Sequence, residues 1–449
     1  MDAIDPTESK PILARLLAPF SKVQPNEVGT VILMTFAAFL LLDGYYLLKT
    51  VREPLVLLEG GPEVKLYLRA GQAVLMVGFV HFYGELAKRF GRDRLLAFVF
   101  LFFISNLVVF TVLARAEVEI GIPFFFWVGL FSYTCVAQFW ALAADIYTEE
   151  QGKRLFPIIG GGSSIGAVVG GLFAKQLVPY GPAALMGAAV IILLACVAII
   201  IWIERRSATS SKSPLDTTQH DEPISEKGTW AVLSQDKYLW LIAGLVIFLN
   251  WVNSSGEYLL DRVLVAAAHD TADPKAYIGA FKGDYFAWYN GIGVVLQLFV
   301  VSRVLRLVGV RKALLVMPFF ALAAYGAAVF FPVLAIMRLV KIGENSLQYS
   351  LQDTTRNALF LVARRDEKFV GKTFTDTIAV RLGAIMSSLM VFIGSELAWP
   401  TRTFVIINVV LAAIWIVFAF WIGREHKKRS AERDRATSSA EPRTARSSE

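Results

Sequence analysis

The chain has 449 residues, 56% of them apolar, with a mean hydropathy of +0.55 and a formal charge of +7. A single core of this length cannot hide that much apolar side chain from water, which excludes a soluble enzyme and gives much of the surface to lipid. The positive charge lies in short stretches between apolar runs, a pattern of membrane topology and not of nucleic-acid binding.

Residues 1–27 are polar and mixed in charge, so no cleavable signal is expected and this segment is predicted to stay in the cytoplasm. The first predicted span covers Val28 to Leu48 and contains Asp43. Just after it, Tyr45, Lys49 and Arg52 fall at i, i+4 and i+7, with Glu53 placed to pair with Lys49. An interfacial position at the outer end of the helix is the alternative for these charges.

Spans two and three are predicted over Ala70 to Ala87 and Leu95 to Leu113. The loop between them, GELAKRFGRDRLL (Gly84 to Leu96), resembles the basic loop motif of the major facilitator superfamily, with Lys88 where that motif usually has Asp. Span four, Ile122 to Tyr147, carries Phe139 and Trp140 and ends with Asp145. Span five, Leu155 to Leu177, holds GGGSSIGAVVGG; it lacks the GK[ST] of a phosphate loop, so Gly162, Gly166 and Gly170 are expected to allow close helix packing. Cys135 and Cys196 lie inside apolar runs and behave there as small hydrophobes.

Span six, Ala183 to Ile203, precedes a polar, Pro/Ser-rich stretch, 204–237, expected to be a cytoplasmic linker between a six-helix bundle over 28–203 and another over 238–422. Span seven, Tyr238 to Leu259, brings Asn250, Asn253, Ser254, Ser255 and Glu257. Spans eight and nine, Asp284 to Val304 and Ala313 to Phe331, flank SRVLRLVGVRKAL (Ser302 to Leu314). That loop aligns Gly309 with Gly91, a weak internal repeat of the kind a six-plus-six bundle requires.

Span ten, Pro332 to Gln352, places Lys341, Asn345 and Gln348 on one stripe, with Glu344 one turn from Lys341. Such a face is too polar for lipid, and its alternatives are a substrate site or a buried ion pair. Span eleven, Phe374 to Leu397, carries Arg381, and span twelve is Arg402 to Ile422. Residues 423–449 are expected to be a disordered cytoplasmic tail. With both termini inside, the alternate loops hold the larger share of the 44 Lys and Arg, as the positive-inside rule asks. The fold class expected is therefore an all-α membrane protein of about twelve helices in two pseudo-equivalent halves.

Three segments resemble a known family more closely. YYLLKTVREPL (Tyr45 to Leu55), FWALAADIYTEEQGKRLFPIIGGGSS (Phe139 to Ser164) and ENSLQYSLQDTTRNALF (Glu344 to Phe360), followed by GKTFTDTIAVRLG (Gly371 to Gly383), are similar to segments of the ATP/ADP antiporter family of plastids and intracellular bacteria. The resemblance implies nucleotide exchange through a major-facilitator-type fold. It also implies functional roles for Lys49, Arg52 and Glu53; for Asp145, Lys153 and Arg154; for Glu257; and for Tyr349, Lys372, Asp376 and Arg381. The chain departs from the family where Lys49, Arg52 and Glu53 stand for arginine, lysine and aspartate, and where Leu382, Gly383 and Ala384 follow Arg381.

The leading expectation is an antiporter for nucleotides or another phosphorylated anion, with Lys49, Arg52, Lys341 and Arg381 offsetting substrate charge. A proton-coupled carrier using Asp43, Glu257 or Glu344 is the runner-up. A membrane interaction protein acting through its basic tail is the third class. No cofactor, metal or nucleic-acid partner is expected, and the protein is expected to be a monomer in a bacterial inner membrane.

Overall fold

Backbone crossing hydrocarbon must satisfy its own hydrogen bonds, so an apolar run of spanning length becomes a helix unless it closes into a barrel. The computed structural model describes residues 23–24, 27–89, 92–210, 236–363, 371–372 and 374–440, and among these no strand occurs. The helices are α1 (Val28–Glu59), α2 (Gly61–Arg89), α3 (Arg92–Arg115), α4 (Gly121–Ile146), α5 (Glu149–Leu177) and α6 (Pro182–Ser210). They continue as α7 (Lys237–His269), α8 (Pro274–Val295), α9 (Ser302–Phe330), α10 (Leu334–Leu347), α11 (Asp353–Leu359), α12 (Val380–Glu396) and α13 (Thr401–Ala440).

Nine helical segments among the described residues are long and apolar enough to cross a membrane, and the chain is an integral membrane protein. One of them, Pro274–Phe330, has 57 residues, or about 85 Å of helix, more than twice a bilayer core. It is interrupted at Gly309, whose φ of 73° and ψ of 165° lie in a region open to glycine. Three π-helical turns, Leu296–Val301, Gln348–Gln352 and Thr375–Ala379, break the regular winding elsewhere.

The helices overrun their predicted spans. α1 continues to Glu59, so Lys49, Arg52 and Glu53 are interior to it, and the interfacial alternative for Arg52 and Glu53 does not hold: both are buried. α7 likewise runs to His269, placing Glu257 inside a helix, and α8 begins at Pro274, so Asp284 is mid-helix. Hydropathy marks where lipid begins and ends, whereas a helix stops only where its backbone finds other partners.

The chain forms two compact units. Unit one comprises Met1–Gly61, Val74–Leu215 and Ala268–Gly291; unit two comprises Pro62–Ala73, Asp216–Ala267 and Ile292–Glu449. They differ from the expected contiguous halves at two places, for reasons visible in side-chain bonding. Residues 62–73 belong with unit two, where Lys65 pairs with Asp261 and Ser388 Oγ donates to the Leu66 carbonyl. Residues 268–291 belong with unit one, where Lys282 pairs with Glu53 and Lys175 with Asp284. Residues 211–235, the middle of the expected linker, lie outside the described residues, as do Phe90 and Gly91 of the basic loop.

Within unit one, α1 packs against α4, α5 and α6. The α1–α5 contact rests on the spaced glycines read from the sequence. A Cβ on Gly162 would lie 2.5 Å from the Thr35 carbonyl oxygen and one on Gly170 2.6 Å from that of Asp43; on Gly166 it would be closer still to that of Phe39. Residues 35, 39 and 43 thus mesh with 162, 166 and 170, each set at a spacing of four, and only glycine permits that approach. An aromatic stack of Phe124, Trp127 and Phe131, with centroids 5.5 Å apart, fills the α4 side. Phe139 and Trp140 meet edge-to-face, and Trp140 packs on Phe156, so this pair is packing.

Within unit two, α9 packs along α13. The C-terminal stretch differs from expectation. Helix continues through residues 423–440, where a disordered tail is predicted, because Arg429 forks onto Asp236 (Nη2–Oδ1 2.5 Å, Nη1–Oδ2 3.1 Å) with its guanidinium 4.6 Å from the Tyr238 ring centre. Residues 441–449 lie outside the described residues.

Candidate functional site

In unit one, α1 and α8 each offer residues at helical spacing to a polar seam. Lys49 Nζ donates to Tyr289 Oη at 2.9 Å and lies 4.5 Å from the Phe286 ring centre and 5.0 Å from that of Tyr46. Tyr46 Oη is 3.1 Å from both Tyr289 Oη and Asn290 Oδ1. The ammonium thus sits among π faces, worth about 0.5–2 kcal/mol depending on desolvation.

One turn further along α1, Arg52 donates twice to Glu53 Oε1, from Nη2 at 2.6 Å and Nε at 3.2 Å, while its guanidinium lies 4.7 Å from the Phe125 ring centre. The other carboxylate oxygen of Glu53 is 3.5 Å from Lys282 Nζ, and Lys282 also faces the Tyr285 ring at 5.3 Å. Glu53 thus meets Arg52 and Lys282 together, a grouping of Arg52, Glu53 and Lys282 that helical spacing along α1 alone does not give. Lys282 and Tyr289 were not singled out from the sequence. The signal was their spacing of seven within a run otherwise taken partly as a loop.

In unit two, α7 presents Glu257 and Asp261 one turn apart to Lys65 of α2, at 3.9 and 2.6 Å. The buried side chains of α10 form a separate network. Lys341 Nζ donates to Glu344 Oε2 at 2.9 Å and to the Asn253 carbonyl at 3.0 Å; Tyr325 Oη donates to Glu344 Oε2 at 2.6 Å. Asn253 Nδ2 donates to Asn345 Oδ1 at 2.8 Å and, at 3.3 Å, to Glu344 Oε1. Lys341 and Glu344 thus form a buried ion pair within α10, three residues apart along the helix and not between helices.

Arg381, in the first turn of α12, is half-buried and makes no hydrogen bond or ion pair among the described residues. Asp376 lies 3.5 Å from Arg356, which also reaches Asp353 at 3.6 Å. Asp145 and Tyr349 are exposed, Lys372 also, and the clusters above do not include them. Arg154 belongs to the membrane end of α5, where it meets Glu27 at 2.8 and 3.2 Å, and Gln151 Nε2 donates to the same carboxylate at 3.0 Å. Burial works against the charged form of Glu27, but the hydrogen bonds from Arg154, the Gln24 backbone and Gln151 outweigh it and hold the carboxyl below its ordinary range.

A family model described as Major Facilitator Superfamily matches residues 67–352, and one described as TLC ATP/ADP transporter matches residues 335–426. ADP,ATP carrier protein 1 of Chlamydia pneumoniae is 24% identical over 66% of this chain; the match spans 65% of the Chlamydia protein. ADP,ATP carrier protein 5 of Rickettsia felis is 22% identical over 93% of this chain and 97% of its own length. Among solved structures, the nucleoside transporter NupG aligns with a TM-score of 0.62 at 10% identity, covering 87% of this chain and 98% of that one. A bacterial homologue of the iron transporter ferroportin aligns with a TM-score of 0.62 at 14% identity, covering 88% and 98%. At these identities the structural likeness speaks for the fold.

Proposed function

Because the chain belongs to the Major Facilitator Superfamily, we propose that it is an antiporter exchanging nucleotides of the ATP/ADP type by alternating access. It does so through about twelve spans of a bacterial inner membrane, with both termini cytoplasmic. The observation that carries this reading is Arg381, a half-buried cation without a partner among the described residues, inside the stretch matched by the TLC ATP/ADP transporter description. A cation in the hydrocarbon region costs roughly 2.5–3.5 kcal/mol, and a nucleotide phosphate supplies the countercharge. The names of the Chlamydia and Rickettsia relatives support the same substrate class. Lys49, with its three surrounding rings, offers a cation and π faces together, chemistry that suits a nucleotide's phosphate and base.

Exchange follows from the cost of reorienting a cationic site with no anion in it. Proteoliposomes preloaded with unlabelled ATP or ADP accumulate labelled nucleotide on this reading, and empty vesicles do not. Equal uptake into empty vesicles overturns exchange, and no nucleotide uptake in either overturns the substrate.

A second reading, a proton-coupled carrier of another anion, is favoured by Asp43. Its carboxyl is buried at the α1–α5 contact, and Oδ1 has no hydrogen-bond partner among the described residues. A buried carboxyl so placed is suited to carrying a proton. Uptake driven by an imposed pH gradient, without counter-substrate and abolished by Asp43→Asn, would select this reading.

A further inference from the structure

The lipid-facing stripe of α13 can be followed residue by residue. Ile406, Val410, Ile414, Val417 and Trp421 are all exposed, at steps of three and four. The same register continues through Arg424 and Lys428, with Lys427 beside them, and all three are exposed. On α9 the exposed series Phe330, Ala327, Ala323 and Phe319 leads in the same way to Lys312. Two helices packed along each other therefore carry apolar, lipid-facing stripes that end in cations.

These ends lie together. The side chain of Arg311 covers Gly423, where an added Cβ would sit 2.6 Å from Arg311 Cγ, so Arg311 is beside Arg424. The nearby acids are otherwise engaged: Asp236 holds Arg429, and Glu425 Oε1 lies 4.0 Å from Arg429 Nε. Glu432, one turn beyond Lys428, makes no ion pair with these cations among the described residues. Arg311, Lys312, Arg424, Lys427 and Lys428 likewise have no ion-pair partner among the described residues. Along α13 Arg429 is turned by about 100–160° from Lys428, Arg424 and Lys427, so its fork onto Asp236 leaves the cationic face free of that contact.

We propose that Arg311, Lys312, Arg424, Lys427 and Lys428, with Trp421 at the hydrocarbon edge, form a binding site for the headgroup of an anionic phospholipid in the adjacent leaflet. The apolar stripe meets acyl chains, Trp421 occupies the interfacial level that indoles favour, and the cations stand where phosphodiesters lie. From Trp421 to Lys428 the helix rises about 10 Å, which reaches from the hydrocarbon edge through the headgroup layer. The inference is independent of the substrate transported.

The test uses the full chain in nanodiscs of phosphatidylcholine alone or mixed with phosphatidylglycerol, followed by detergent exchange and mass spectrometry of retained lipid. Wild-type protein is expected to keep phosphatidylglycerol in preference to phosphatidylcholine and to unfold at a higher temperature in its presence. Lys427→Gln/Lys428→Gln loses retained phosphatidylglycerol by about fivefold per cation removed, and Lys427→Arg/Lys428→Arg keeps it. Both positions are exposed, so this pair remains readable even where the wider variant adding Arg311→Gln and Arg424→Gln fails to fold. Equal retention of the two lipids, or unchanged retention in the double variant, overturns the site. Equal thermal stabilisation by inorganic phosphate alone overturns the lipid as its occupant.

Discussion

Lys341 Nζ and Glu344 Oε2 are 2.9 Å apart on adjacent turns of α10, and neither side chain reaches solvent. The charge of Lys341, a candidate for the anion site by sequence, is answered within its own helix. Removing one partner leaves the other buried and uncompensated, a loss of about 3–5 kcal/mol. Lys341→Ala and Glu344→Ala are each expected to lower folded yield, and Lys341→Met/Glu344→Gln to recover most of it. Fluorescence-detected size exclusion with thermal ramping measures this. A double variant no better than the singles contradicts the pairing.

Tyr325 completes that network with a hydrogen bond of 2.6 Å to Glu344. Tyr325→Phe removes only the hydroxyl, and bonds to charged acceptors contribute about 1.5–3 kcal/mol. A fall in unfolding temperature is expected, absent in a Glu344→Leu background, which lacks the acceptor, if the two act through one bond.

Arg381 has no such partner among the described residues, so the opposite outcome is expected there. Arg381→Ala should reduce nucleotide exchange at least tenfold while folded yield holds, and Arg381→Lys should keep part of the activity. Exchange rates normalised to reconstituted protein decide between this and a structural role, for which yield and activity fall together.

The Glu27–Arg154 pair gives a pH dependence with a definite sign. A carboxyl held below its ordinary value of 4.5 contributes stability that is present above that value and lost as pH falls through the lower, folded value. The stability difference between wild type and Glu27→Gln is therefore expected to be full at neutral pH and to vanish in acid, below the ordinary carboxylate range. A difference that grows on acidification contradicts the assignment.

The close approach of α1 and α5 predicts sensitivity to small additions. Gly166→Ala puts a methyl group against the Phe39 carbonyl, and overpacking of this kind costs about 1–3 kcal/mol. Gly161, whose added Cβ would meet nothing within 4 Å, serves as the control: Gly161→Ala should be neutral. Thermal unfolding of the two variants side by side is the measurement.

What was legible in the sequence follows physical range. The spaced glycines and the intramembrane charges could be read because lipid imposes a strong, local requirement on each residue. Helix ends could not, since the backbone winds on past the hydrocarbon boundary: Glu53 and Glu257 were placed near helix ends and are interior. Pairings across distant segments were hidden for a different reason. Lys65 with Asp261 and Lys282 with Glu53 depend on which helices become neighbours, and periodicity carries no record of that. The helical extension of α13 was missed because its polar composition looks like a solvated tail, and only its bond to Asp236 distinguishes it.

The meshing of residues 35, 39 and 43 with 162, 166 and 170 allows one register only. The close approach holds only while each of the three peptide oxygens stays opposite its own glycine. Those two helices behave as one welded girder. Irregular winding, by contrast, collects in the described residues of the other unit: the π turns at Leu296–Val301, Gln348–Gln352 and Thr375–Ala379, and the break at Gly309. Among the described residues the irregular turns thus fall in one unit, while the α1–α5 contact of the other is pinned level by level along three turns.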